Sequence, residues 1–123
     1  MDRAGITRAW VSHLPGLFWK DPAEGNGWLF EAVAREPRFR AVATVHPGLP
    51  HWEEDLAAAE SAGAVAVRAD PGLLGLPAQH AAETGRYDAV ICLGCLIRGE
   101  TSHYEHIASA VAHGLTAAAG ATG

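Results

Sequence analysis

The sequence is 123 residues long, 49% hydrophobic and only 19% charged, which suits one compact domain with a buried core and excludes a disordered, charge-rich tail. Lys and Arg number 9 against 14 Asp and Glu, a formal charge of −5 that argues against nucleic acid or anionic lipid as partners and requires any phosphate to be held locally. No apolar run approaches the roughly 20 residues that span a bilayer. The opening Met1-Asp2-Arg3-Ala4 also lacks the order of a secretory leader, so a cytoplasmic location without membrane contact is expected.

Segments rich in β-branched residues alternate with segments of helical period, a repeated βα rhythm. The first strand is expected near Arg8–Ser12, followed by a loop, His13-Leu14-Pro15-Gly16-Leu17-Phe18-Trp19, whose aromatics pack instead of binding. A helix then starts near Gly25-Asn26 with Asn26 as N-cap. It buries a stripe of Trp28, Leu29, Ala32 and Val33 and stops before Pro37, whose ring forbids continuation. The second strand is Ala41–Val45. After His46-Pro47-Gly48-Leu49-Pro50, the acidic turn Glu53-Glu54-Asp55 opens a second helix at its positive end, and Gly63 ends it. The third strand is Ala64–Arg68, and the stretch Pro71–Pro77 leads into a short helix closed by Gly85. Ala89–Ile97 is apolar almost throughout, as a strand covered on both faces is, and is expected at the centre of the sheet. The last helix opens on a capping box, Ser102-x-x-Glu105, with an interruption expected at Gly114 and fraying over Ala117–Gly123. Strands alternating with helices imply parallel pairing, hence a single α/β domain over residues 1–123. Its expected form is a three-layer open parallel sheet of about four strands, flavodoxin-like; the alternative is half of a (βα)8 barrel, whose exposed edges would pair with a second copy.

The strongest chemical signal is Arg98-Gly99-Glu100-Thr101-Ser102-His103, between the expected fourth strand and the last helix. Ligands of open α/β sheets collect at strand C-terminal ends, and the free N–H groups of a helix start hold anions. Gly99 lets the backbone approach a ligand, and Thr101 and Ser102 add hydroxyls. His103, in the first turn, sits where the positive helix end favours a neutral ring, ready as a base near neutral pH. The combination suits proton transfer beside a bound phosphate, although a plain capped helix with an exposed histidine is the commoner origin of such a pattern. Cys92-x-x-Cys95 has redox or zinc spacing, but strand positions three apart face opposite sides, so both read as buried small apolar residues. His103 and His106 share a helical face without a third ligand, which describes solvated helix histidines more simply than a metal site. His13 and His46, each after a strand, either share a rim with His103 or serve as turn residues. No metal and no cofactor are expected.

From about Pro71 onward, Pro71-Gly72-x-x-x-Leu76-Pro77 and Gly85-Arg86-Tyr87-Asp88-Ala89-Val90-Ile91-Cys92-Leu93-Gly94-Cys95-Leu96-Ile97-Arg98-Gly99-Glu100-Thr101-x-His103-Tyr104 resemble lumazine synthase, the penultimate enzyme of riboflavin biosynthesis. Residues up to about Pro71 carry Ala9-Trp10-Val11-Ser12-His13-Leu14-Pro15-Gly16, Asp21-Pro22-x-Glu24-Gly25-Asn26, Val45-His46-Pro47-Gly48-Leu49-Pro50 and Val67-Arg68-Ala69-Asp70-Pro71. These resemble a segment of amidohydrolase-like metal-dependent hydrolases with a (βα)8 barrel. The two patterns meet at Asp70-Pro71-Gly72, so the chain looks like a chimera of a barrel-like segment, 1–71, and a lumazine-synthase-like segment, 72–123.

The lumazine synthase resemblance implies a transferase that condenses a ribitylamino-pyrimidinedione with dihydroxybutanone phosphate, without metal or organic cofactor. By position, His103 would move the proton, Gly99, Glu100 and Thr101 would cradle the phosphate, and Leu96 and Ile97 would flank the pyrimidine. The implied partners are a phosphorylated small molecule and, because family sites form between subunits of a pentamer, further copies of the chain. Two departures point to impaired activity. Gly75 stands where the Pro-Gly-x-x-Glu-x-Pro stretch of the family has an acid that binds the ribityl chain, and Gly123 falls where the family's next strand, with basic residues that hold phosphate, would begin. Each charge-assisted partner lost costs about 1.5–3 kcal/mol. The alternatives are a chimeric or designed α/β scaffold without catalysis and an amidohydrolase-type hydrolase fragment, although the His-x-His pair of the latter parent has no counterpart here.

Overall fold

A computed structural model describes residues 4–123, the side chain of Leu17 excepted; Met1, Asp2 and Arg3, from the opening assessed as a leader, lie outside the described residues. The chain divides into two compact units, one running to Arg68 and the other from Ala69 to Gly123. Among the described residues no helix is long and apolar enough to cross a membrane.

The first unit contains strand β1 (Ala9–Val11), a 3-10 turn (Pro15–Leu17), helix α1 (Ala23–Arg35), strand β2 (Phe39–Thr44), helix α2 (Trp52–Ser61) and strand β3 (Ala66–Arg68). The strands form one parallel sheet in the order β1-β2-β3, with Val11 opposite Ala41 and Thr44 opposite Arg68. This confirms the α/β class and parallel pairing read from the βα rhythm. The order is sequential, as successive crossovers to the same side produce, and it occurs both in barrels and in one wing of an open sheet. The middle strand carries the core: Ala41 and Ala43, two apart and so on one face, are fully buried, and Val45 is buried behind them.

Asn26 is not the N-cap of α1. The helix begins three residues earlier, after Pro22, where the Asp21 carboxylate accepts the Ala23 N–H at 2.9 Å. Asn26 is instead buried, its Nδ2 donating to the Thr44 carbonyl at 2.7 Å and its Oδ1 accepting the Thr44 N–H at 2.9 Å. Backbone groups along a strand point alternately to either side. The Val45 N–H turns to β3, donating to the Arg68 carbonyl at 2.9 Å, so those of Thr44 face the side of β1. There β1 has already ended at Val11, and the Asn26 amide occupies the place of a strand residue.

Docking Asn26 rotates the expected stripe of α1. Gly25, Asn26 and Leu29 are buried with Phe30 and Val33 half-buried behind them, whereas Trp28 is 51% exposed and Ala32 is exposed. Trp28 packs edge-on with Trp19 and His13, centroids 5.4 to 5.6 Å apart, so His13 and Trp19 of the loop do pack, whereas Phe18 is 81% exposed and does not. A Cβ on Gly25 would run into the His13 ring. At the far end α1 stops as expected: Glu36, before Pro37, is extended, and Arg38 holds its carboxyl down at about 2 through direct hydrogen bonds. The three strand ends are tied by Arg68, whose guanidinium donates to Thr44 Oγ1 at 2.9 Å, to the His13 carbonyl at 3.4 Å and to Ser12 Oγ at 3.5 Å.

The second unit contains a 3-10 turn (Pro71–Leu73), helix α3 (Gly75–Glu83) and helix α4 (His103–Thr122). Asp70 Oδ1 caps the turn by accepting the Gly72 N–H at 2.8 Å. Two expectations fail along α4, which is neither interrupted at Gly114 nor frayed over its Ala-rich end. Alanine is the best helix former and a single glycine is tolerated in so long a helix; Gly114 lies where α3 and α4 cross. A Cβ on Gly75 would lie 2.8 Å from the Gly114 carbonyl carbon, whereas one on Gly114 would meet Gly75 at an ordinary 3.5 Å. The crossing therefore needs glycine at 75 but not at 114.

The expected fourth strand is also absent. Ala89–Ile97 is neither helix nor strand, and Ile91, Leu93 and Ile97 are 81%, 84% and 88% exposed. An apolar, β-branched run supplies propensity, but a strand exists only against a neighbour that completes its ladder, and none pairs with this run among the described residues.

Two measurements check this packing. Asn26→Ala removes two buried hydrogen bonds and strands both Thr44 backbone groups, so it lowers unfolding free energy in urea by about 2–4 kcal/mol. Gly75→Ala overpacks the helix crossing and costs about 1–3 kcal/mol. Gly114→Ala is neutral or stabilising by up to about 1 kcal/mol through helix propensity; equal losses at both glycines contradict the crossing described.

Candidate functional site

The stretch singled out by sequence lies where an irregular segment enters α4. Ser102 is the N-cap residue, but its side chain accepts no cap hydrogen bond, so the capping box does not form. Glu105 pairs instead with Arg98, Nη2 to Oε1 at 3.3 Å, with both side chains exposed. The first bond closed within the helix runs from the His106 N–H to the Ser102 carbonyl at 3.2 Å. The N–H groups of Ser102, His103, Tyr104 and Glu105 thus have no carbonyl one turn back, and the helix dipole adds positive potential there. Arg98 to His103 are all exposed, Leu96 is half-buried and Ile97 is exposed. Nothing lies within 4 Å of where a Gly99 Cβ would be, which leaves that backbone open to a ligand.

The expected residues therefore share one exposed loop and helix start. Among the described residues no hydrogen bond or ion pair links His103 to Gly99, Glu100 or Thr101. Chemically, the junction offers free backbone donors, two hydroxyls and an imidazole, and its cation, Arg98, is partly neutralised by Glu105.

The remaining histidines and cysteines divide. His13 Nδ1 accepts the Gly16 N–H and His46 Nδ1 the Gly48 N–H, each at 3.2 Å, so both hold local turns. His106 is exposed on α4. Cys92 and Cys95 are free thiols but not buried strand residues: Cys92 is half-buried, which pushes its thiol pKa up, and Cys95 is exposed. A constellation that spacing did not indicate is present in the first unit. His51 Nε2 lies 3.3 Å from Asp21 Oδ2 and 3.7 Å from Asp55 Oδ2. The one signal for it in sequence is His51-x-x-x-Asp55, one helical turn apart; Asp21 is too distant in the chain to be associated.

Parallel βα units and a long helix opening on Gly-Glu-Thr-Ser-His define an α/β protein with its candidate site at a helix N-terminus. The family model described as 6,7-dimethyl-8-ribityllumazine synthase matches residues 50–123, and the chain belongs to that family. Its parallel α/β architecture is consistent with the family's flavodoxin-like fold. The 6,7-dimethyl-8-ribityllumazine synthase of Gloeobacter violaceus is 54% identical over 55 residues, 43% of this chain and 31% of the relative. That of Deinococcus radiodurans is 51% identical over 47 residues, 37% and 30% of the two chains. The 6,7-dimethyl-8-ribityllumazine synthase 1 of Caulobacter vibrioides is 46% identical over 78 residues, 60% and 51%. The chain spans about a third to a half of the length of these curated relatives. No solved structure matches it. The family match begins at Pro50, ahead of the join expected at Asp70-Pro71-Gly72, and the amidohydrolase-like reading of residues 1–71 finds no support in these comparisons.

Proposed function

We propose that the chain is a lumazine-synthase-like domain of riboflavin biosynthesis, condensing a ribitylamino-pyrimidinedione with dihydroxybutanone phosphate. The observation that carries this reading is the family match over residues 50–123, which includes Arg98-Gly99-Glu100-Thr101-Ser102-His103. In this reading the unpartnered N–H groups opening α4, with Gly99, Glu100 and Thr101, take the phosphate, favoured by the helix dipole. His103 moves the proton, and Leu96 and Ile97 flank the pyrimidine. Support for the phosphate role comes from the open backbone at Gly99.

Further copies of the chain fit the same reading. Ile91, Leu93 and Ile97 expose apolar surface beside the site, and burial against another copy would recover about 25 cal/mol per Å². The cytoplasm is the matching location. Activity is expected to be weak, because Arg98 is shared with Glu105 and Gly75 offers no acid.

A second reading, a composite α/β scaffold without catalysis, is favoured by two observations. The two units divide at Arg68–Ala69 beside Asp70-Pro71-Gly72, and the space an acid at position 75 would need is occupied by Gly114.

Lumazine fluorescence from the two substrates separates them. The enzyme reading predicts product above a no-protein blank, reduced about 10²-fold or more in His103→Ala, as loss of general acid–base catalysis does. A folded chain that yields only the blank rate overturns it in favour of the scaffold.

A further inference from the structure

We infer that Asp21, His51 and Asp55 form a binding site for one divalent transition ion of the zinc class. The three donors come from separate places: Asp21 ahead of α1, His51 at the N-cap of α2, and Asp55 one turn further along. Their ligand atoms lie within 4.8 Å of one another, with His51 Nε2 the shared neighbour of both carboxylates. A tetrahedral ion with bonds of about 2.0–2.2 Å holds its ligand atoms roughly 3.3–3.6 Å apart. The 3.3 Å separation falls in that range and the 3.7 Å one just beyond it, while the two carboxylates lie within 4.8 Å of each other, so an ion draws the three donors together by side-chain movement.

Asp55 makes the site specific for positive charge. Its side chain is only 12% exposed, and its Oδ2, the oxygen facing His51, is fully buried without a hydrogen-bond partner. Buried carboxylate oxygens are ordinarily hydrogen-bonded, paired with charge or bound to metal. The His51 ring lies 3.7 Å from Oδ2, beyond hydrogen-bonding distance. A metal ion between the three donors supplies the missing partner.

The surroundings orient the donors as metal sites require. Asp21 Oδ1 is held by the Ala23 N–H, which leaves Oδ2 to face His51. The His51 carbonyl accepts the N–H groups of Glu54 at 3.0 Å and Asp55 at 3.1 Å, fixing the two α2 ligands relative to each other. Glu54, exposed in the same turn, adds negative potential. One imidazole nitrogen and two carboxylate oxygens suit zinc or a neighbouring first-row ion better than calcium, which takes six or more oxygens. With three protein donors and Asp21 52% exposed, the fourth position opens to water.

The test is calorimetric titration of the chelator-treated full chain with zinc chloride at neutral pH, with melting temperature recorded in parallel. The expected result is one equivalent bound and a raised melting temperature, both weakened roughly tenfold or more in Asp55→Asn and His51→Gln and retained in His103→Gln/His106→Gln. Asp21→Asn, which alters an exposed side chain, provides the same reading should the α2 variants fail to fold. No binding, or binding undiminished in Asp21→Asn and Asp55→Asn, overturns the site and assigns any zinc uptake to other histidines.

Discussion

The first unit depends on one side chain that behaves as backbone. β1 is three residues long and ends before β2 does, so the Thr44 N–H and carbonyl would be buried without partners. The Asn26 amide donates and accepts in the same geometry a strand would, and each bond avoids a desolvation cost of about 1–3 kcal/mol. That bond pair also sets the rotation of α1: the Gly25–Asn26–Leu29 face turns inward, while Trp28 moves out toward Trp19 and His13. Arg68 then closes the same edge from the β3 side, tying the ends of all three strands. A short parallel sheet is thereby held by side chains at the end where its ladder runs out.

The second unit rests on a different constraint, the close crossing of α3 and α4 at Gly75 and Gly114. α4 runs unbroken from His103 to Thr122, and its N-terminal dipole faces the Arg98–Ser102 loop. In open water such an end contributes only about 0.3–1 kcal/mol toward a bound anion, and the Arg98–Glu105 pair, itself exposed, adds little. Phosphate binding of useful strength therefore requires water to be displaced from the loop. The exposed apolar side chains of Ile91, Leu93 and Ile97 provide the surface on which a covering partner would do this, which connects the proposed chemistry to the proposed assembly.

Much of this was legible in the residues. Pro37 marks the end of α1, Glu53-Glu54-Asp55 and Gly63 bracket α2, and the strands Ala9–Val11, Phe39–Thr44 and Ala66–Arg68 fall inside or within two residues of the expected runs. These signals are local, arising from ring sterics, dipoles and side-chain period. The misreadings share a cause in contacts remote along the chain. Asn26 resembles an N-cap because local propensity does not register the unpaired end of β2, and Ala89–Ile97 resembles a central strand because pattern does not supply a neighbour. Ser102 and Glu105 have capping-box spacing, but Glu105 turns to Arg98. Asp21 joins His51 and Asp55 only through folding. The candidate loop is legible because its residues are consecutive.

The central functional claim is that the start of α4 receives a phosphate. It is tested most directly by recording backbone amide resonances of the folded chain while dihydroxybutanone phosphate is added. The account predicts saturable shifts of the amides from Gly99 to Glu105, with those around the Asn26–Thr44 pair unmoved. Shifts confined to the first unit, or none at concentrations that saturate a phosphate site, would contradict it.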